Sequence, residues 1–220
     1  MHGMILTMLT AFKAPLRPLL LIGLALLAPS LGTVARAATP AESFVSDNIQ
    51  KGLQILGNRG PQRASQFESF LDTLTDINRI GRFTLGNARR TASPADIAAF
   101  DAAFKNYAVA VYQSRLSTYS GQTLKVTGST QNAPGDFTVM TVTVDPRADK
   151  NQQPLTVGFR VVTEQGRMVV IDVSVAGVWL SIEERDQFSA FLSQHNGSIP
   201  ALITHLEQLT TQLKTGNAAR

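Results

Sequence analysis

In the second half of the chain, apolar residues recur at every second position in two stretches. Apolar residues occupy every second position across 155–162, and the same period returns across 169–176. A period of two is typical of a β-strand with one buried face. The two stretches flank Gln165 and Gly166, a tight-turn signal, so we predict a long antiparallel hairpin with one continuously apolar face.

A second strand pair is predicted just before this hairpin. Within it, Phe137 and Val139 hold one parity, whereas Val142 and Val144 hold the other. Such a flip predicts a β-bulge near Val139 and Met140, and a bulge bends a sheet strongly. Because four strands follow one another with short connections, we predict a curved antiparallel meander.

Periods of three and four, typical of amphipathic helices, occupy much of the remaining chain. The best-marked helix begins after Ser93, because Pro94 suits the first helical position and Asp96 completes a capping box. Ser181 and Glu184 form the same pattern before a later helix. Further helices are predicted at 41–57, 62–74 and 198–213, and 76–83 is predicted as a short helix or an irregular turn. We therefore predict an α+β fold in which several helices cover one face of a curved four-stranded sheet.

The first residues are typical of a secretory signal peptide. Lys13 and Arg17 precede an apolar run at 19–28, and a small-residue motif ends at Ala37. The apolar run, about ten residues, is shorter than the ~20 that a membrane-spanning helix needs. We expect cleavage after Ala37, which leaves 38–220 as a single domain large enough for a substantial core.

Removing the predicted signal peptide brings the charge of the chain close to neutral. The full chain has 20 basic and 16 acidic residues, and 38–220 retains 17 and 16 of them. A near-neutral chain without a Lys/Arg run does not favour nucleic-acid binding. The absence of cysteine excludes disulfides, thiolate metal sites, a cysteine nucleophile and a lipid anchor on cysteine. These features fit a protein of the bacterial periplasm.

Candidate catalytic and metal-binding groups are sparse. His195 and His205 lie in the two C-terminal helices without a metal-ligand spacing, and we interpret them as solvated helix-surface residues. Asp172 occupies a polar position of its strand, so we expect it to face outward. No nucleophile elbow, phosphate loop or dinucleotide fingerprint occurs in the sequence. We therefore predict no catalytic residue, no metal and no cofactor.

The apolar residues leave more than one interpretation of the interior. A bent sheet covered by helices, the longest of which carries Phe100, Phe104 and Tyr107, either encloses a cavity for an apolar ligand or is filled by side chains. Trp179 fits a core position, a lid over such a cavity or a contact for a partner. A small α+β enzyme would use the same cavity and would need Asp172 buried beside a second titratable group. A filled core would instead favour a protein-interaction module.

Short motifs follow one another in a fixed order along most of the chain. They are Asp76-Ile77, Ile80, Leu85-Gly86, Ala92-Ser93-Pro94, Phe100, Phe104, Leu116, Tyr119, Gly121, Gly177-Val178, Leu180, Arg185 and Phe188. In this order and spacing they resemble the MlaC family of periplasmic phospholipid-binding proteins, also called toluene-tolerance auxiliary proteins. The resemblance covers essentially all of 38–220. Where the family has a small polar residue between Val178 and Leu180, this chain has Trp179.

The resemblance implies both a fold and a function. The expected fold packs helices on a curved antiparallel sheet around a deep apolar pocket for acyl chains. The expected function is that of a monomeric, non-enzymatic periplasmic carrier. It would move phospholipid between an outer-membrane lipoprotein complex and an inner-membrane ABC transporter with an MCE-domain protein, and so maintain outer-membrane lipid asymmetry. A relative associated with hopanoid-producing bacteria makes a hopanoid or another apolar small molecule the alternative cargo.

The hydrophobic pattern and the resemblance together suggest which residues surround the ligand. Arg185 and Trp179 are expected near the head group, at the mouth of the pocket. Acyl chains need apolar walls, because each CH₂ exposed to water costs ~0.8 kcal/mol. The expected lining residues are Phe83, Phe104, Tyr107, Val111, Val142, Val144, Phe159, Val161, Ile171, Val173, Val178 and Trp179.

Overall fold

The computed structural model describes residues 37–58, 60–117, 121–145, 147 and 153–218. The predicted signal peptide, 1–37, lies outside these residues apart from Ala37. From Ala37 onward the described residues belong to one compact unit. No described helix is long and apolar enough to cross a membrane.

The described chain contains six α-helices and one 3₁₀ helix, close to the positions that periodicity predicts. They are α1 (Pro40–Gly57), α2 (Arg63–Leu74), α3 (Ile77–Thr84), the 3₁₀ helix (Gly86–Arg90), α4 (Pro94–Ser117), α5 (Leu180–Gln194) and α6 (Ile199–Ala218). The predicted start of α4 is confirmed, because the Ser93 hydroxyl accepts the N–H of Asp96 at 3.1 Å and donates to its carboxylate at 2.7 Å. Thr39 and Glu42 form a capping box at α1.

The described strands form one antiparallel sheet in which neighbours in sequence are neighbours in space. They are β1 (Thr123–Ala133), β2 (Asp136–Val144), β3 (Thr156–Glu164), β4 (Arg167–Val175) and β5 (Val178–Trp179). The predicted α+β fold with a curved meander is confirmed, with a fifth strand where four were predicted. Ala176 and Gly177 take left-handed φ angles of 51° and 84°. They turn the chain back, so that β5 pairs with the end of β4.

The bulge predicted in β2 lies instead in its neighbour. β2 pairs with β3 without interruption from Asp136 to Val142. An extra residue of β1, Thr127, falls where β1 passes Met140 and Thr141, and a further shift occurs at Asn132 beside the turn. Because β2 is regular, Phe137 and Val139 lie on one face of the sheet, and Val142 and Val144 lie on the other.

A second bulge, at Ile171, shifts the register of the β3–β4 hairpin. Arg160 pairs with Asp172, yet the next residue of β3, Val161, pairs with Val170. The regular alternation predicted for β4 is therefore wrong at this point. Between the bulge and the turn at Gln165 and Gly166, Val170 rather than Val169 faces the core. Beyond the bulge, Val173 faces it.

The inner face of the sheet is apolar and packs against α1. Val139, Val161 and Val170 are at most 2% exposed and share one cluster with Ala41 and Val45 of α1. We refer to this group and the partly buried residues packed on it as the sheet cluster. The outer face carries Thr138, Arg160 and Asp172 together with several valines, and α1 covers the opposite side.

Part of the outer face is polar and accessible to solvent, although Val162 and Val169 on the same face are buried. Lys125 and Arg160 are exposed there, and Thr138 is half-buried. Arg160 donates to Asp136 at 2.8 Å across neighbouring strands. An exposed pair of this kind contributes little to stability and marks the solvent side of the sheet.

A second apolar cluster, the helical cluster, lies among α2 to α6. Phe100 and Phe104 stack with ring centroids 5.7 Å apart, and Phe188 meets both rings edge-on at 6.2 Å. Leu206 of α6 is fully buried in the same cluster. α3 approaches α4 closely, because a Cβ on Gly81 would lie only 2.6 Å from the Phe104 ring.

Candidate ligand site between two apolar clusters

Most buried apolar residues of the described chain fall into the sheet cluster or the helical cluster, whereas Ala110, Val157, Val162 and Val169 are buried outside both. A domain of this size usually has one contiguous core with small satellites. Half-buried side chains belong to both clusters, with Tyr107 and Tyr112 on the helical side and Phe159 and Val173 on the sheet side. We therefore regard the boundary between the clusters as the candidate ligand site.

Tyr112 of α4 lies deep in the protein but keeps accessible surface. Burial, and then the charge of Asp172, raises the pKa of its phenol. Its ring lies 6.4 Å from the ring of Phe67 in α2. The side chain nevertheless has intermediate solvent exposure. The phenol of Tyr112 therefore lies at the edge of the packed interior, on the helical side of the boundary.

Glu184 of α5 is a half-buried acid that contacts α4. Burial raises the pKa of its carboxyl group, a hydrogen bond with Tyr107 opposes this rise, and the charge of Glu183 adds to it. A hydrogen-bonded partner is what a polar group needs in apolar surroundings. The Tyr107–Glu184 pair therefore joins α4 to α5 and places one polar interaction among the apolar residues of the boundary.

The carboxylate of Asp172 joins β4 to α5 and does not simply face outward as predicted. Its Oδ1 accepts the N–H groups of Val173 at 2.8 Å and Ser181 at 3.1 Å, and its Oδ2 accepts the Ser181 hydroxyl at 2.5 Å. The predicted capping box at Ser181 is wrong, because α5 begins at Leu180 and Ser181 lies inside its first turn. A carboxylate from β4 supports the start of this helix instead.

The register separates the predicted lining residues of β2, β3 and β4 into two groups. Phe159 and Val173 are half-buried on the inner face, and Val161 on the same face is fully buried in the sheet cluster. Val142 and Val144 lie on the outer face, where Val144 is 41% exposed. The structure therefore does not bring these two valines together with the other three residues.

Trp179 lies in the short edge strand β5, and Ile171 lies at the bulge of β4. Trp179 pairs with Ser174, and the row continues through Gly158 to Met140. Residues in one such row share a face, so the indole lies on the side opposite to the inner face. Ile171 is the bulged residue of β4 and is half-buried.

The predicted lining residues outside these strands differ in exposure. Phe104 is 5% exposed and belongs to the helical cluster, whereas Tyr107 and Val111 are half-buried. Phe83 and Val178 are 42% and 49% exposed. Within this group, Tyr107 and Val111 are therefore placed best to contact a ligand in the interior.

His195, which follows the last residue of α5, and His205 of α6 stack on one aromatic ring. The centroid of Phe191 lies 3.9 Å from that of His195 and 4.6 Å from that of His205. His205 is half-buried, and burial followed by the charge of His195 lowers its pKa. The expectation of a merely solvated residue is therefore wrong for His205. Across the described ranges, no group of three or more His, Asp or Glu residues is placed to hold a metal ion.

Two surface grooves lie away from the predicted lining. One, of about 640 Å³, lies between α1 and α2, and its lining residues are of mostly polar type, with Ile55 and Phe70 as the apolar members. The other, of about 310 Å³, lies between the 3₁₀ helix and α5 around Arg185. Neither groove includes a residue of the predicted lining.

Comparison with known proteins gives the family. The model of the MlaC protein family matches residues 43–208. The chain belongs to the MlaC family. A similar fold occurs in a phospholipid-binding protein from Ralstonia solanacearum, solved in complex with a phospholipid, with a TM-score of 0.68 and 20% sequence identity. The match covers 80% of this chain and 99% of that one.

Sequence patterns did not reveal the polar pairs of this MlaC-family chain. The Tyr107–Glu184 and Asp172–Ser181 pairs join elements that are distant in the sequence, which no local spacing encodes. Glu184 was instead predicted to complete a cap with Ser181. The one available signal was a tyrosine within the apolar stripe of α4, because a buried tyrosine hydroxyl usually needs a partner.

Proposed function

We propose that this protein is a non-enzymatic phospholipid carrier that holds acyl chains between the helical cluster and the inner face of the sheet. The division of the apolar interior into two clusters carries this proposal. Membership of the MlaC family and the phospholipid in the Ralstonia solanacearum complex support it. At ~0.8 kcal/mol per CH₂ removed from water, an acyl chain between two apolar layers is strongly stabilised.

The proposed ligand contacts are the half-buried side chains along the boundary. Phe104 and Val161 lie behind them and support the two walls from buried positions. A ligand that fills such a boundary would join the two clusters into one continuous apolar interior. The proposed contacts are Tyr107, Val111, Tyr112, Phe159, Ile171 and Val173.

The same proposal extends to transport between membranes. Phospholipid does not cross an aqueous compartment unaided, because its acyl chains are too costly to expose. Resemblance to the MlaC family suggests an outer-membrane lipoprotein complex and an inner-membrane ABC transporter with an MCE-domain protein as the membrane-bound partners. The predicted signal peptide supports a periplasmic location.

Two alternatives differ in cargo or in chemistry. A hopanoid is the alternative cargo, since half-buried rings and valines also suit a rigid apolar ring system. The enzyme alternative has less support, although the charge of Asp172 reaches Tyr112. Both oxygens of Asp172 already accept hydrogen bonds from the protein, so the carboxylate is not directed at a substrate as a general base would be.

Organic extraction of the purified protein followed by mass spectrometry identifies the cargo. We expect phospholipid in an amount comparable to that of the protein. A hopanoid in the extract would select the alternative cargo. A protein that carries no lipid after gentle purification, and takes up none from phospholipid vesicles, would contradict the carrier proposal.

The variant Val173→Arg tests the location of the acyl chains. An arginine at this half-buried inner position would be desolvated by the ligand, which costs several kcal/mol, so bound lipid should fall by roughly tenfold or more. Val142→Arg is the matched control, because Val142 is also half-buried but lies on the outer face. It should retain its lipid. Equal losses in two variants that melt like the wild type would place the ligand elsewhere.

A further inference from the structure

The groove between the 3₁₀ helix and α5 contains an arginine without an acidic partner. Arg185 is half-buried there, and no carboxylate of the described chain pairs with it. Its neighbour Glu184 hydrogen-bonds to Tyr107 instead. Guanidinium groups that leave bulk water usually pair with a carboxylate or a phosphate. Arg185 is therefore available to an anion from outside the chain.

Two neighbours hold the Arg185 side chain in place. Its guanidinium carbon lies 5.2 Å from the centroid of the Phe83 ring, a cation–π contact. The bare Cα of Gly86 admits it on the groove side, since a Cβ there would lie 3.2 Å from Nε. Gly86 also takes a φ of 55°, which favours glycine. A cation held in this way loses less conformational entropy when it binds a ligand.

Uncharged hydrogen-bonding groups line the same groove. Ser189 and Ser193 follow Arg185 at intervals of four residues and so share one face of α5. Asn87 lines the opposite side, on the 3₁₀ helix. None of these three side chains has a hydrogen-bond partner among the residues that the structure describes. The floor is apolar and includes Leu85, which is 1% exposed.

The charge and size of the groove suit a small oxyanion. Arg89 and Arg90 are exposed on the same 3₁₀ helix as Asn87, which lines the groove, and add positive charge to that helix. A phosphate group can accept two parallel bonds from a guanidinium and further bonds from hydroxyl and amide groups. A volume of about 310 Å³ is at the small end for ligand sites and suits a polar group rather than acyl chains.

We propose that this groove binds a phosphate group, with Arg185 as the cation and Asn87, Ser189 and Ser193 as further donors. The phosphate can belong to a phospholipid head group or to free phosphate. The groove shares no residue with the proposed acyl-chain contacts. Loss of phosphate binding and loss of lipid carriage are therefore separate results.

Titrations followed by ¹H–¹⁵N NMR test this site with two probes, inorganic phosphate and monomeric dihexanoylphosphatidylglycerol. We expect saturable shifts in the amide signals of Gly86 and Gly197, which border the groove. Arg185→Gln should weaken binding by roughly tenfold or more, because it removes a charge-assisted pair of bonds. Arg167→Gln, which changes an exposed arginine of β4, should bind like the wild type.

The two probes also identify the source of the phosphate. Tighter binding of the lipid probe would indicate a phospholipid head group, whereas equal or tighter binding of inorganic phosphate would indicate the free ion, and both results support the site. If Arg185→Gln unfolds, Ser189→Ala should weaken binding a few-fold in a folded protein. The proposal is overturned if neither probe gives saturable shifts at the groove. It is also overturned if Arg185→Gln and Ser189→Ala both bind phosphate with wild-type affinity.

Discussion

Glu184 is a carboxylic acid in mostly apolar surroundings, bonded to a single tyrosine hydroxyl. Burial raises its pKa above the ordinary value of 4.5. In the pH range between 4.5 and the raised pKa, the folded state holds a proton that the unfolded state has released. The contribution of Glu184 to stability is therefore largest below pH 4.5 and is lost as the pH rises through the raised pKa.

Glu184→Gln should raise the melting temperature at pH 7 and change it little at pH 4. Glutamine can bond to Tyr107 without a charge that must be desolvated, and at pH 4 the wild-type acid is itself protonated. Thermal unfolding at the two pH values measures the difference. Asp186→Asn, at an exposed position of the same helix, should show no such gain at pH 7. A Glu184→Gln variant that is equally destabilised at both pH values would show that a charged carboxylate is favourable here.

Val142 and Val173 show how far single positions could be predicted. Alternation marks both as apolar strand residues, and both are half-buried. Alternation gives the parity within one strand, but the face that each parity takes depends on pairing with other strands. The regular β2 and the bulged β4 place the two valines on opposite faces. Phe104 and Val161, at the centre of their patterns, were predicted in the interior and are buried.

The start of α5 depends on a neighbouring strand. Trp179 precedes the helix and makes no side-chain cap, while Asp172 of β4 accepts both the N–H and the hydroxyl of Ser181. Because β5 has only two residues, this carboxylate is a principal tie between the sheet and the C-terminal helices. The anchor also fixes α5 at the turn from which Glu184 reaches Tyr107.

Asp172→Ala should lower the free energy of unfolding by about 2–4 kcal/mol, because it leaves the two donors of buried Ser181 without an acceptor. Urea denaturation measures the change. Asp186→Ala is the control on the same helix and should stay within about 0.5 kcal/mol of the wild type. Comparable stability of the two variants would mean that water replaces the carboxylate without loss.

Elements with local signals were predictable, and elements that depend on distant contacts were not. The first helix, the cap of α4 and the turn at Gln165 and Gly166 all follow from neighbouring residues, and the structure has each of them. β5 and the true start of α5 depend on hydrogen bonds from β4. No periodicity within α5 itself contains that information, so the capping box at Ser181 was a reasonable but wrong interpretation.

Across the whole molecule, the sequence predicts the helices and the sheet but not which helix packs against the sheet. The α+β class and the covered sheet face follow from two distinct periods along the chain. We had expected the aromatic helix α4 to cover the sheet, yet its Phe100 and Phe104 pack with Phe188 of α5. α1 covers the inner face instead. Which helix packs on which layer depends on contacts between distant segments.

Removing bound lipid should destabilise the wild-type protein. A ligand present at 100 times its dissociation constant contributes about 2.7 kcal/mol, which for a domain of this size corresponds to roughly 5–10 °C in melting temperature. Calorimetry before and after delipidation measures this shift. Val173→Arg, which should carry little lipid, is expected to show almost no shift. An unchanged melting temperature in fully delipidated wild type would contradict a ligand that stabilises the boundary.

The extra residue at Thr127 has a consequence beyond the register of the sheet. β1 is an edge strand, since β2 is the one described strand that pairs with it. An open edge presents unpaired N–H and C=O groups that can template aggregation with a second molecule. The bulge breaks the regular spacing of those groups, and exposed Lys125 adds a charge beside it. One inserted residue thus works against edge-to-edge association in a chain that is expected to fold after secretion.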